Sequence, residues 1–504
     1  MSARKKFFYN GTLLTLVGLS IKTAALLFGA FVSRTVGAEG TGLYTIVMTV
    51  YSFAVTFATS GISLTVTRLV ATAIGEGNRG ELSRIMRGAL LYSLAFSLIA
   101  SSVLFFGAEF FGSRVLSDER AALSLKILSA SLAPASLSSV FAGYFVGVKR
   151  VSANAAVQVI TQLAKVVITA MLVIRMSEYG TAMAVAALCI GLTAAELVAF
   201  FMMLVQFSFD RLRDRKCKKR GVAISPILEM ALPLAFSAYI RSGLLTLEHT
   251  LIPKSLKKSG DNSNEALSSY GTLHGMAIPA VLYPMSPLSS FSGLLVPEFA
   301  ESMAEGNTYR LKRITEQVIR ATLAYAAVVS VMLFLFSEEI GYVVYDSFDA
   351  GKYIALIAPV VPIMYLDHVT DSMLKGIGEH VYSMWVNITD SLLSVLLVCL
   401  LIPKMGIRGY AVVIIVMEAY NFALSFLRLK SKIKFSFYFL KGIILPLAAA
   451  LLSAELTKAL FVFCGSGASA YWLLMKIIFS ACSCFIFYKF LSLISFLPGA
   501  LAHR

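Results

Sequence analysis

Two cations stand where a membrane-spanning segment tolerates them least. Lys22 lies in the apolar run 10–33 and Arg241 in the run 226–252, each ten or more residues from the nearest end. A cation at the centre of a bilayer costs about 3 kcal/mol on insertion scales. An anionic ligand would compensate it. A phosphate or diphosphate suits both residues: Arg presents a planar fork of donors, and Lys acts as a point charge. The other readings are snorkelling, which the distance to a helix end makes awkward, and pairing with a helix carboxylate.

The remaining charges inside apolar runs are few. Glu248 follows Arg241 by seven residues and shares its side of a helix. It is a salt-bridge partner or a proton or sodium site. His249 faces elsewhere and reads as a packing residue. Arg34 and Arg68 close their helices, and each lines a cavity mouth or anchors the helix at anionic lipid. His274 is a weaker candidate for coupling. Asp367 and Asp371 are four apart beside His368, which has the outline of a cation site, but polar contact between helices is the plainer reading. Lys165, Glu196, Asp390 and Glu418 take that plainer reading too.

Other chemistries lack their residues. The six cysteines (Cys189, Cys217, Cys399, Cys464, Cys482 and Cys484) have no zinc spacing and read as packing residues. The chain has no Walker A motif, HExxH pair, selectivity-filter-like loop or Ser/His/Asp constellation. We therefore expect no catalytic residue, no metal site, no enzyme activity and no cofactor beyond a coupling ion, Na+ or H+.

The elements that must position these residues are apolar helices. Of 504 residues, 58% are hydrophobic and 14% charged, and the mean hydropathy is +0.79. Runs of about 20 apolar residues recur throughout, each long enough for a hydrocarbon core roughly 30 Å thick. Backbone groups in lipid must be satisfied within the segment, so the runs are helices. The reading gives an all-α polytopic membrane protein of fourteen spans: 10–33, 40–62, 84–108, 121–147, 152–174, 180–207, 226–252, 268–291, 316–337, 354–377, 381–402, 408–428, 436–463 and 468–492. The first run is an uncleaved span, because it exceeds a signal-peptide core and runs on into Arg34. A net charge of +16 would suggest nucleic acid in a soluble protein. Here Lys and Arg concentrate at the N-terminus and after the even-numbered spans, which places both termini in the cytoplasm and implies no nucleic-acid partner. Prolines 279, 284 and 287 in span 8, and 359 and 362 in span 10, predict bends.

The spans are organised by a repeat. Ala71–Ile85 overlays Ala300–Ile314 at an offset of 229 residues, with seven of fifteen positions identical, including Glu76-Gly77-Asn78 on Glu305-Gly306-Asn307. The same offset pairs Gly147 with Gly376 and Gly180 with Gly409. Allowing for a longer connection at Pro253–Leu267, Ile21-Lys22 falls on Ile240-Arg241. The two cations therefore hold matched places in two copies of one bundle. The expected organisation is an N-lobe (1–208, spans 1–6), a basic linker (209–223), a C-lobe (224–430, spans 7–12) and two further helices (431–504). Two parallel copies of a helical bundle point to a transporter with its site between the copies.

The segments SRTVGAEGTGLY (Ser33–Tyr44), GISLTVTRLVATAIGEGN (Gly61–Asn78), GYFVGVKR (Gly143–Arg150) and LLVPEFAESMAEGN (Leu294–Asn307) carry a family resemblance. With the span count, they make the chain resemble the polysaccharide-transporter and lipid II flippase branch of the MOP exporters, most of all stage V sporulation protein B-like membrane proteins. The resemblance covers essentially the whole chain. It implies a V-shaped pair of lobes around a cavity lined by spans 1, 2, 7 and 8, with alternating access driven by membrane potential or an ion gradient. It implies a polyprenyl-diphosphate-linked saccharide as cargo, with Lys22 and Arg241 on its diphosphate. The expected partners are that lipid-linked oligosaccharide and membrane lipid, around a monomer in the bacterial cytoplasmic membrane. The alternative is a cation-coupled multidrug exporter of the MATE type, which would carry a carboxylate in its first-lobe cavity. Spans 1 and 2 offer none. A membrane scaffold would have no need of matched buried charges.

Overall fold

The computed structural model describes residues 3–501 apart from 60, 77–78, 149, 214–220, 261, 436–444 and 464–469. Most of the basic linker, with Cys217, and also Cys464 and the Gly77-Asn78 half of one repeat motif, lie outside the described residues. The described residues fold into helices with no strand. In chain order the principal helices are α1 (Ala3–Thr59), α2 (Ile62–Gly75), α3 (Arg79–Phe106), α4 (Ala121–Ser129), α5 (Leu132–Gly147), α6 (Val151–Met176), α7 (Thr181–Arg213), α8 (Ser225–Lys258) and α9 (Ser263–Tyr270). Then follow α10 (Ile278–Leu282), α11 (Ser286–Ala304), α12 (Thr308–Leu335), α13 (Ser337–Tyr345), α14 (Phe348–Ile357), α15 (Val361–Gly376), α16 (His380–Met405), α17 (Ile407–Ile433), α18 (Leu445–Phe463) and α19 (Ala470–Leu501). Among the described residues, eight stretches are long and apolar enough to cross a bilayer. The pair α4–α5, bent by 43°, makes a ninth. The stretch Ser20–Ile74 counts once in that number although two glycines break it. The chain is a multi-pass membrane protein.

Those breaks have a backbone cause. Gly37 (φ +76°) splits α1, and Gly61 (φ +77°) separates α1 from α2. Both are left-handed conformations that cost a side-chain-bearing residue and that glycine adopts freely. The second break corrects the expected end of span 2. The helix resumes at Ile62 and runs to Gly75, which places Arg68 at the middle of α2 rather than at a helix end. The connection expected at Pro253–Leu267 is also much shorter. Helix α8 continues to Lys258, and α9 starts at once behind a reciprocal cap: the Asn262 side chain accepts from the third helical residue, while Glu265 accepts from the Asn262 N–H at 3.1 Å. The extra residues lengthen helices, not a loop.

The proline bends fall where the sequence places them. Between α9 and α11 the chain passes through a π-helical turn (Gly271–Ala277), α10 and a 3-10 turn (Tyr283–Met285). Another 3-10 turn, Ala358–Val360, separates α14 from α15.

The chain packs as two compact units, residues 1–28 with 35–271, and residues 29–34 with 272–504. This division differs from the lobe boundary expected at 209–223, because α8 packs within the first unit. Its polar side chains are satisfied by α1: Tyr239 donates to the Phe57 carbonyl (3.1 Å) and Thr246 to the Thr49 carbonyl (3.3 Å), and Ser242 lies 3.3 Å from the Thr56 hydroxyl.

Each unit contains its own version of one core. In the first, Val66 and Val70 of α2 pack with Val140, Tyr144 and Phe145 of α5. In the second, Leu295 and Phe299 of α11 pack with Val369, Met373 and Leu374 of α15. Every one of these residues is 229 positions from its counterpart. The paired glycines sit at close approaches within each core. A Cβ on Gly147 would lie 2.8 Å from Val70 and 3.0 Å from the Thr67 carbonyl. A Cβ on Gly376 would lie 2.6 Å from Phe299 and 3.0 Å from the Val296 carbonyl. The contacted residues are again 229 apart, so the repeat is a repeat of packing.

The motif that reveals the repeat has a structural role in the second unit. Gly306 takes φ +66°, and Asn307 caps α12 by accepting from the Arg310 N–H at 3.0 Å. Glu-Gly-Asn is a helix–turn–helix joint.

Candidate functional site

Lys22 lies in α1 fifteen residues before the break at Gly37, which at 1.5 Å per residue is about 22 Å. Its side chain is exposed. Arg241 is the seventeenth of the 34 residues of α8, so about 25 Å of helix lies on either side of it. It too is exposed. Among the described residues neither cation has a hydrogen-bond or ion-pair partner.

Helix geometry explains how Arg241 is presented. Ser242, Gly243 and Thr246 face α1, and at about 100° per residue Arg241 falls on the opposite side of α8. Glu248 is two turns along on that side, but it is buried, 8% exposed, and within electrostatic range of Tyr270. The carboxylate that sequence spacing offers to Arg241 is not bonded to it. Beside Glu248, the His249 Nδ1 lies 3.2 Å from the Tyr270 hydroxyl, a packing bond within the first unit.

The other sequence candidates separate. Arg34 donates from Nε to the Val344 carbonyl at 2.9 Å and from a terminal nitrogen to the Val343 carbonyl. Both carbonyls belong to the last turn of α13, where a cation satisfies groups that have no partner in the helix. Arg68 is exposed on α2, with no partner among the described residues. His274, in the π-helical turn, bonds the Tyr410 hydroxyl at 2.7 Å. In the first unit Lys165 sits 5.9 Å from the centre of the Phe28 ring and within electrostatic range of Glu196.

The second unit holds a carboxylate cluster that spacing alone shows only in part. Asp371 is not free to share a site with Asp367. Lys375 bonds it at 2.5 Å, and Ser383 donates to its other oxygen. Asp367 interacts with Asp371 and also with Asp390 of α16 and Glu418 of α17. One oxygen of Asp367 is buried with no hydrogen-bond partner. Sequence could not bring Asp367, Asp390 and Glu418 together, because they come from three helices. Among the described residues no group of His, Cys, Asp and Glu has metal-binding geometry.

Two ionic clasps, three ion pairs in all, tie helix junctions to helix ends. In the first unit Arg150 pairs with Asp210, which also accepts from the Tyr144 hydroxyl at 2.8 Å. In the second, Glu379 pairs with Arg428 (2.8 Å) and Lys432 (2.7 Å). Hydrogen bonds from Lys432 and Arg428 hold the Glu379 carboxyl below the usual range. Arg150 and Glu379 are 229 residues apart, so the two clasps occupy matched places with the charges exchanged.

Comparison with known proteins agrees with the resemblance read from the sequence. Residues 7–303 match the family described as polysaccharide biosynthesis protein, and residues 266–400 match the MatE family. Among curated relatives, stage V sporulation protein B of Bacillus subtilis (strain 168) is 25% identical over 420 residues, covering 82% of this chain and 81% of that protein. Sporulation protein YkvU of the same organism is 20% identical over 357 residues, covering 69% and 77%. Among solved structures, the lipid II flippase MurJ in an inward closed conformation matches with a TM-score of 0.72 at 15% identity, covering 98% of this chain and 99% of that one. An inward-facing multidrug resistance MATE family transporter of the MOP superfamily matches with a TM-score of 0.65 at 17% identity, covering 83% and 98%. At these identities the structural matches establish the fold.

Proposed function

The chain belongs to the polysaccharide biosynthesis protein family, and from that premise we propose that it is a flippase for a polyprenyl-diphosphate-linked saccharide. The observation that carries this reading is the state of Lys22 and Arg241. Each sits deep in a long helix, exposed, with no protein carboxylate bonded to it. A mid-span cation without a protein counter-charge is suited to an anionic ligand that arrives and leaves. A diphosphate handle matches that requirement, and stage V sporulation protein B and the lipid II flippase are relatives in sequence and fold. The full topology belongs to the same proposal: fourteen spans, both termini cytoplasmic, one chain sufficient for transport.

The coupling ion in this reading is H+ or Na+, and for H+ the acceptors are Asp367, Asp390 and Glu418. One buried oxygen of Asp367 with no hydrogen-bond partner leaves acceptor capacity for it. The second reading is a cation-coupled exporter of MATE type, because residues 266–400 match that family.

Binding of a purified polyprenyl-diphosphate disaccharide-peptide separates the two. We expect saturable binding, weakened at least tenfold in Lys22→Ala and in Arg241→Ala, about 1.4 kcal/mol or more for each. Unchanged binding in both variants would remove these cations from the mechanism. Failure of the lipid to bind, with saturable binding of an organic cation, would select the exporter.

A further inference from the structure

The first unit contains a cavity of about 440 Å³ between α1, α3, the π-helical turn Phe111–Leu116 and α8. Its wall is almost wholly apolar. Phe53 and Phe57 of α1, Val103 and Leu104 of α3, Val115 and Leu247 dominate it, and the two polar lining residues are Thr246 and Thr250. Gly243 leaves room there, since a Cβ at that position would meet only Phe53, at 3.5 Å. The diphosphate candidate Arg241 lies on the other side of α8, so this cavity is not the site proposed above.

One end of the cavity is cationic. Arg114 immediately precedes the lining residue Val115; it is exposed and has no partner among the described residues. Lys254 is one turn beyond Thr250, and its ammonium lies 3.0 Å from the Arg114 carbonyl. Lys257 follows, with its ammonium 3.4 Å from the Ser117 carbonyl. Of the acidic groups nearby, Arg120 holds Asp118 at 2.7 Å and Lys126 holds Glu109 at 2.7 Å, which leaves Glu119 against the three cations Arg114, Lys254 and Lys257. The rim therefore presents net positive charge.

The dimensions select the occupant. The lining residues extend seven positions along α1 and α8, about 10 Å at 1.5 Å per residue, and continue to the rim. That depth is close to one leaflet of a core about 30 Å thick. At roughly the 30 Å³ that a water molecule occupies in the liquid, the volume holds about fifteen methylene-sized groups, the scale of one acyl chain. A long polyprenyl chain would overflow it. We propose that the cavity is a binding site for an anionic phospholipid, with one acyl chain between α1, α3 and α8 and the phosphate at Arg114 and Lys254.

The test uses full-length protein in vesicles that mix phosphatidylglycerol with phosphatidylcholine, only one of the two brominated on its chains. The native tryptophans are Trp385 and Trp472. With both changed to Phe, Phe53→Trp reports from the cavity wall. We expect brominated phosphatidylglycerol to quench this reporter at least threefold more than brominated phosphatidylcholine. The preference is expected to vanish in Arg114→Gln/Lys254→Gln. Gly243→Leu, which fills the cavity and leaves the rim intact, is expected to reduce quenching by both lipids. Equal quenching by the two lipids overturns the proposal, as does a preference that survives the rim changes. A protein retaining only Trp385 is expected to show no preference. The same preference there would mean general enrichment of anionic lipid and would also overturn it.

Discussion

Removing the Glu379 carboxylate is a residue-scale test of how a charged helix junction responds to protons. Hydrogen bonds from Lys432 and Arg428 lower its pKa in the folded state. Its contribution to stability is therefore complete above the ordinary carboxylate range and is lost as pH falls through the lowered folded value. We expect Glu379→Gln to melt below wild type at pH 7, and the gap to close as the pH is taken down to 4 and below. A gap independent of pH would mean that the ion pair is not its source. The two mid-span cations are also a residue-scale matter. Their places far from the helix ends were legible from spacing. Their freedom from Glu248 was not, because seven residues along a helix put two side chains on one side without saying whether a third group, here close to Tyr270, draws one of them inward. Spacing likewise shows Asp367 beside Asp371 but not the further carboxylates, Asp390 and Glu418, that the fold brings to Asp367 from neighbouring helices.

At the scale of elements, the breaks in the helices separate by cause. Prolines announce the irregular passage from α9 to α11 and the turn before α15, since each removes a backbone donor. The bend between α4 and α5 has Pro134 in the first turn of α5, a signal available in the sequence and passed over. The break at Gly61 has a weaker signal, one glycine in an apolar run, so the sequence places Arg68 at the close of span 2 and not within a separate helix. The short connection between α8 and α9 was hidden for the opposite reason. Its polar residues look like a loop, while Asn262 and Glu265 form a cap. The matched glycines give the sharpest test at this scale. Gly376→Leu would press a side chain into Phe299 and the Val296 backbone. We expect a loss on the order of 1–3 kcal/mol, read as a lower melting temperature in detergent. Gly378→Leu, with nothing within 4 Å but a left-handed backbone (φ +88°), tests strain without crowding.

For the whole molecule, the apolar runs and the repeat made the all-helical membrane class readable before any coordinates. They did not show that α8 packs with residues 35–271, because a repeat records ancestry and packing records contact. Orientation is testable directly. In a cysteine-free background, a cysteine at Ser177, after span 5, is expected to react with an impermeant reagent added to intact cells. One at Glu305, after span 8, is expected to react only after permeabilisation. Reversal of that pattern would invert the topology and with it the direction of transport.

The exchanged polarity of the two clasps has a consequence for assembly. A duplicated bundle risks domain swapping, in which a segment of one copy docks on the equivalent surface of the other. Were both clasps of the same sense, each junction would find a complementary helix end in the wrong copy. Here Arg150 would meet Arg428 and Lys432, and Glu379 would meet Asp210. Like charges would face each other in either exchange, so each half of the duplicated chain recognises its own helix end and rejects its twin's.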